Sequence, residues 1–235
     1  MKNLLGQPLG EPVSWKGALP PQRQCLGRGR FCRLEPLDAT EHGAQLFAAQ
    51  ALDAEGRNWT YLPHLPPTSS EEYLARLTTQ QISADPLFFS VLDNSEQAVG
   101  TASYLRIQPA AGSIEVGYIN FTPKMQRRPI STEAMFLMMN HAFEDLGYRR
   151  YEWKCDSLNA PSRAAALRLG FTFEGIFRQD RVVKGRNRDT AWYSIVDKEW
   201  PARQSALQSW LSPDNFDAAG RQRRSLADCR GVAQR

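Results

Sequence analysis

Cysteine is scarce in this chain, long apolar runs are missing, and neither sign of charge predominates strongly. Four cysteines, Cys25, Cys32, Cys155 and Cys229, are scattered over 235 residues. No two of them have zinc-ligand spacing, and a chain of this length needs no disulfide framework, so reduced thiols in a cytoplasmic setting are expected. No HExxH pattern occurs and neither His42 nor His141 is placed as a ligand, so no metal is expected. No run approaches the roughly 20 apolar residues of a membrane span. The first 15 residues lack the apolar core of a signal peptide. P-loop and dinucleotide fingerprints are absent, as are internal repeats. The 29 basic residues exceed the 25 acidic ones by only 4. That excess suits an anionic small ligand at least as well as nucleic acid.

What is present can bury a core: 42% of residues are hydrophobic and 10% aromatic. The length suits one domain with appended segments. Residues 1–24 are rich in Gly and Pro and read as an N-terminal arm, 25–200 as the domain, and 201–235 as a C-terminal extension. The extension carries a short amphipathic piece with Leu207, Trp210 and Leu211, and beyond Asp214 its polar composition predicts fraying. Within the domain, 26–34 alternates as a strand. Asp38 can cap a helix over 39–52, and Ser69 or Ser70 one ending near 83. Strands over 87–92 and 98–107 flank the hairpin signal Asp93-Asn94-Ser95-Glu96. A strand over 150–155 precedes a helix with Asn159 as cap, Pro161 in its first turn and Gly170 at its stop. Two closing strands, 171–177 and 190–196, flank a basic loop over 178–189. The order β-α-α-β-β-β-α-β-α-β-β implies a mixed α/β fold with helices on the faces of its sheet.

The richest stretch is 114–146. It opens as a strand, with Ile114, Val116, Tyr118, Ile119 and Phe121. It continues as a basic loop broken by Pro123 and Pro129, and closes as a helix whose Met135, Met138, Met139, Ala142, Phe143 and Leu146 form one apolar face. Ser131 or Thr132 can cap that helix, Glu133 places an acid near its positive end, and Gly147 stops it. A helix N-terminus at the end of a basic loop suits phosphate, with Lys124, Arg127 and Arg128 adding charge.

Two local patterns carry a resemblance. Gln126-Arg127-Arg128-Pro129-Ile130-Ser131, followed by Thr132-Glu133-Ala134, resembles the coenzyme A pyrophosphate loop of the GNAT superfamily of acetyl-CoA-dependent N-acetyltransferases. Asn159-x-x-Ser162, with a helix ending Arg168-Leu169-Gly170-Phe171, is similar to that family's coenzyme-contacting helix. The likeness covers about 28–200 and points to the branch that acetylates ribosomal-protein N-termini, the RimJ/RimL type. It implies a GNAT-like, mostly antiparallel sheet flanked by helices. Pro129, where the family usually has Gly, has no N–H to donate, and Ser131 replaces Gly or Ala.

The resemblance implies acetyl transfer from acetyl-CoA to a primary amine, on a small molecule or a protein N-terminus, by direct attack in a ternary complex. Ile119, Asn120, Phe121, Gln126, Arg127, Arg128, Ile130, Ser131, Thr132, Asn159 and Ser162 are the expected cofactor-binding residues. Glu115, the lone carboxylate on an apolar strand, is the candidate base; the alternative is an exposed or arginine-paired carboxylate. Ser162 is the candidate acid, in the absence of the family's usual tyrosine. Trp59, Tyr61 and Tyr118, with His64 and the proline-rich loop, are candidate acceptor-site residues; an aromatic core cluster is the alternative. Cys155 is expected to be buried and inert. Nucleic acid and membrane are not expected partners, and a homodimer is compatible with the sequence. A coenzyme-A-binding sensor and an RNA-associated basic module stay open as other readings.

Overall fold

Eight strands form one sheet in the order β1-β2-β3-β4-β5-β6-β8-β7 in the computed structural model, which describes residues 1–232. All neighbours run antiparallel except β5 and β6. The strands are β1 (Gly27–Arg28), β2 (Cys32–Pro36), β3 (Leu87–Asp93), β4 (Ala98–Gln108), β5 (Ser113–Phe121), β6 (Arg150–Asp156), β7 (Thr172–Val183) and β8 (Arg186–Val196). The helices are α1 (Ala39–Gln50), α2 (Ser70–Ile82), α3 (Pro129–Asn140), α4 (Ala160–Leu169), α5 (Trp200–Leu211) and α6 (Leu226–Val232). None of the described helices is long and apolar enough to cross a membrane.

Alternation divides the sheet between two cores. Ile114 and Val116 of β5, Tyr151, Trp153 and Cys155 of β6, and Ala191, Tyr193 and Ile195 of β8 face the larger one, built with α3, α4 and α5. Phe88, Leu92 and Ala98 face a smaller one closed by α1 and α2 with Trp59 and Tyr73. Both start signals on that face hold. Asp38 accepts the amides of Thr40 and Glu41 at 2.8 and 3.0 Å, and Ser69 that of Glu72 at 3.2 Å.

Five expectations need correction. The first strand breaks into β1 and β2 around a turn that the buried Glu133 carboxylate holds, accepting the amides of Arg30, Phe31 and Cys32 at 2.8, 2.5 and 2.8 Å. The approach is so close that a Cβ on Gly29 would overlap that carboxylate. Glu133 therefore serves a hairpin rather than its own helix end. Helix α3 starts at Pro129, with Arg128 as N-cap, because Pro fits the first helical position; Ser131 and Thr132 lie inside the first turn.

The basic loop over 178–189 is largely strand. Pairs Arg181↔Arg188 through Val183↔Arg186 extend the hairpin to a two-residue turn at Lys184 (φ 49°) and Gly185 (φ 72°), both left-handed as a tight hairpin turn requires. Most of the outer part of this hairpin is exposed, so no apolar alternation marks it. Between Asp214 and Val232 the chain is packed rather than frayed: Phe216, Leu226 and Cys229 are buried in the larger core beside Trp210. The arm packs too, with Trp15 Nε1 donating to the Gly147 carbonyl at 3.1 Å and the Leu19 amide to that of Leu146 at 2.8 Å.

Candidate active site

The sheet opens at its only parallel junction. β5 and β6 pair from Ser113↔Arg150 to Val116↔Trp153 and then separate. At the same level β5 bulges. Its partners in β4 jump from Ser103↔Gly117 to Thr101↔Asn120, which leaves Tyr118 and Ile119 out of the ladder, with Tyr118 at φ 47°. A bulge of this kind bends a strand and frees backbone groups. The cleft therefore runs between Tyr118–Phe121 on one edge and Lys154–Asp156 on the other.

The end of β5 leads into the basic loop and then α3. The carbonyl of Thr122 accepts the amides of Met125 and Gln126, and that of Arg128 accepts the amide of Ser131. The Ser131 hydroxyl also donates to the Arg128 carbonyl, at 2.8 Å. Among the described residues, the amides of Arg127 and Ile130 have no such partner. Arg127 takes the left-handed conformation, φ 58°. The side chains of Lys124, Arg127 and Arg128 are exposed, and none of them pairs with a described carboxylate. Free N–H groups, a helix N-terminus and unpaired cations at one point are the groups that suit an anion. Gln126 and Thr132 contribute differently from expectation. Gln126 Nε2 turns back to the Phe121 carbonyl and Asn58 Oδ1, at 2.9 and 2.7 Å, and ties the loop to β5. The buried Thr132 hydroxyl accepts from Arg168 at 2.9 Å, which ties it to α4.

The far edge of the cleft carries α4. Asn159 caps it by accepting the Ser162 amide at 3.1 Å. Ser162 Oγ accepts from Trp153 Nε1 at 3.0 Å. An indole nitrogen only donates, so Ser162 keeps its own hydroxyl proton, which lies within reach of the Cys155 sulfur. Burial pushes the Cys155 thiol up, and Ser162, Arg188 and Arg163 oppose this only in part, so the thiol is a poor nucleophile.

Glu115 does not face the cleft as a free base. It is 3% exposed. Its carboxylate takes Lys154 Nζ at 2.8 Å and Arg106 at 2.5 Å. Lys154 also meets Glu152 at 2.6 Å and lies 3.7 Å from the centre of the Trp192 ring. Glu152 and Glu174 share Arg150, which completes a ladder of alternating charge across four strands. Burial works to raise Glu152, but Lys154 and Arg150 outweigh it and hold the carboxyl below its ordinary value.

On the α1–α2 side the cleft meets a narrow pocket that opens to solvent. Trp59, His64, Tyr73, Arg76, Phe88, Thr101, Tyr118 and Asn120 are among its lining residues. Tyr61 is not: its hydroxyl donates to the Leu158 carbonyl at 3.1 Å and fastens the aromatic loop to the start of α4. Lys184, at the hairpin tip, latches the same loop by donating to the Trp59 carbonyl at 2.5 Å. Arg76 holds it from α2, donating to the Leu65 carbonyl at 3.1 Å with its guanidinium over Trp59. Burial, then Arg76 and Lys184, push the His64 imidazole below its ordinary value, so it is neutral at pH 7. Sequence reading gave Lys184, Arg76 and Asn58 no role, because their partners lie far away in the chain.

Comparison with known proteins bears on the family and the fold. Residues 32–172 match the family model described as an acetyltransferase (GNAT) domain. A crystal structure of a GCN5-related N-acetyltransferase from Brucella melitensis is 49% identical, with a TM-score of 0.90, covering 93% of this chain and 99% of that one. A ribosomal-protein-serine acetyltransferase of Escherichia coli is 29% identical over 105 residues, 44% of this chain and 58% of that protein. A ribosomal L7/L12 α-N-protein acetyltransferase in complex with coenzyme A shares the fold at 19% identity and a TM-score of 0.62, covering 74% of this chain and 99% of that one. The matched stretches span between 46% and 63% of the curated relatives' lengths. With more than half its length inside that family model, and with the split sheet and basic helix start in place, the chain belongs to the GNAT acetyltransferase family.

Proposed function

We propose that the protein transfers an acetyl group from acetyl-CoA to a primary amine, by direct attack in a ternary complex. One observation supports this reading: among the described residues the sheet opens between β5 and β6, with the basic start of α3 following β5 and a lined pocket that shares Tyr118 and Asn120 with that strand. The chain fits the cofactor there. The Arg127 and Ile130 amides, with the Arg127 and Arg128 side chains, suit a diphosphate, and the backbones of Ser131 and Thr132 lie in the same helical turn. Ile119, Asn120 and Phe121 border one edge of the cleft and Asn159 and Ser162 the other. When bound, the cofactor supplies an acyl thioester.

The chain's own groups then have distinct tasks. The amides released by the bulge at Tyr118 and Ile119 offer donors where negative charge would develop on a carbonyl oxygen. Ser162 holds a proton available to a leaving sulfur. Glu115, fixed between two cations, is assigned to structure. Neutral His64, at the pocket, takes the proton that an ammonium must lose before it can attack.

Titration with acetyl-CoA in a thermal-shift assay, followed by thiol release with a panel of primary amines, tests the reading. A raised midpoint and amine-dependent thiol release are expected. A raised midpoint with no release from any amine would favour a coenzyme-A-binding sensor, and no shift at all would end both.

A further inference from the structure

Asn120 is 5% exposed, and its Oδ1 has no hydrogen-bond partner among the described residues. It belongs to a row. Ser90 lies opposite Thr101 in the sheet, Thr101 lies opposite Asn120, and the buried Ser90 hydroxyl is also unpartnered. Thr101 and Asn120 line the pocket described above. Leaving a buried polar group unpaired is penalised in the free protein, and native structures hold few such groups. An amide oxygen accepts and never donates. Asn120 therefore carries an acceptor that no described group satisfies, on a residue that lines the pocket, while its backbone stays on the edge of the cleft.

The rest of the lining narrows the ligand. Trp59, Tyr73, Phe88 and Tyr118 supply apolar and aromatic surface. Arg76 is the charged lining group, and no Asp or Glu is among the described lining residues. A second positive charge on the acceptor would find no counter-ion there.

We propose that Asn120 Oδ1 binds the acceptor's amino group, and that the pocket selects compact primary amines on an apolar skeleton over polycationic ones. The proposal rests on the acetyl-transfer reading and adds which side chain holds the amine and which amines are turned away.

The test is calorimetric titration of phenylethylamine and of spermidine into the protein loaded with coenzyme A, for the wild type, Asn120→Leu and Asn120→Asp, with melting temperatures alongside. Wild type should bind phenylethylamine at least tenfold more tightly than spermidine. Asn120→Leu should lose tenfold or more for phenylethylamine and melt at the wild-type temperature or higher, because it deletes an unpaired buried group. A purely structural asparagine would lower the melting temperature instead. Asn120→Asp should move the preference toward spermidine. Failure of the wild type to bind phenylethylamine, or unchanged binding in Asn120→Leu, would overturn the proposal alone. Failure to bind coenzyme A would overturn it together with the reading beneath it.

Discussion

Glu115→Gln separates a catalytic carboxylate from a structural one. In the native protein Glu115 and Lys154 are almost fully buried, with side chains each 4% exposed, while Arg106 is 40% exposed and can turn to water. Removing one partner of a buried ion pair costs about 3–5 kcal/mol. Here Lys154 keeps Glu152 at 2.6 Å and the Trp192 ring at 3.7 Å. The new amide also keeps an oxygen that can accept a hydrogen bond. A loss of about 2 kcal/mol is therefore expected. For a chain of this size that corresponds to a fall in Tm of roughly 4–8 °C. Turnover, measured by thiol release well below the shifted midpoint, should stay within about threefold of wild type, because the carboxylate contributes no transition-state contact. An unchanged Tm with turnover reduced a hundredfold would refute this reasoning and restore Glu115 as the base.

The double change Arg127→Ala with Arg128→Ala should weaken acetyl-CoA binding by roughly 5–30-fold, and the remaining affinity should depend less on salt; calorimetry at two ionic strengths reads both. His64→Gln should lower kcat/KM by at least tenfold at neutral pH and erase an acid limb whose pKa lies below the ordinary histidine value, because burial, Arg76 and Lys184 all favour the neutral ring. Glu152 and Glu174 are both held below their ordinary values. Their contribution to stability is thus complete above the ordinary carboxylate value of about 4.3 and is lost as pH falls through the lower folded-state values. Melting curves from pH 6 to pH 3 should show that loss, and Glu152→Gln with Glu174→Gln should flatten it.

Local signals were readable wherever the physics that fixes them is local. Asp38, Ser69 and Asn159 were legible as caps because an N-cap needs only amides two or three residues ahead. Gly170 was legible as a stop because its left-handed backbone, φ 101°, excludes most other residues. The strand–loop–helix at 114–146 was legible for the same reason. What escaped depends on contacts across the fold. Glu133 looks like a first-turn acid until β1 and β2 come within reach of it. Glu115 looks like a lone carboxylate until Lys154, 39 positions on, packs beside it. Asn120 sits next to Ile119 on the edge of the cleft, and only the bulge at Tyr118 turns its side chain toward the pocket lined by Trp59 and Tyr73. The hairpin turning at Lys184 and Gly185 escaped because the exposed strands around it have no apolar alternation to mark them.

The C-terminal residues bear on the site through helix placement. Two helix N-termini border the cleft, and each helix is anchored away from it. Glu133 fastens α3 to the β1–β2 turn. Arg203 of α5 donates to the Gly170 carbonyl at 3.0 Å, and Arg230 of α6 donates to the Arg168 carbonyl at 2.5 Å. Cations on the last carbonyls of α4 also complement its dipole. Arg168 reaches from α4 to Thr132 in α3 and rests on Trp210 of α5. Because Thr132 follows the Ile130 amide by two residues, that hydrogen bond couples the seat of α4 to the start of α3. A tail that frayed after Asp214 would release Arg230 and uncover Trp210, and α4 would be free to shift. Phe216 prevents this by packing edge-on against both Phe31 and Trp210, at 5.6 and 5.5 Å between ring centres. The same two aromatic contacts close the larger core, so the tail is held by apolar burial and the cleft inherits that rigidity.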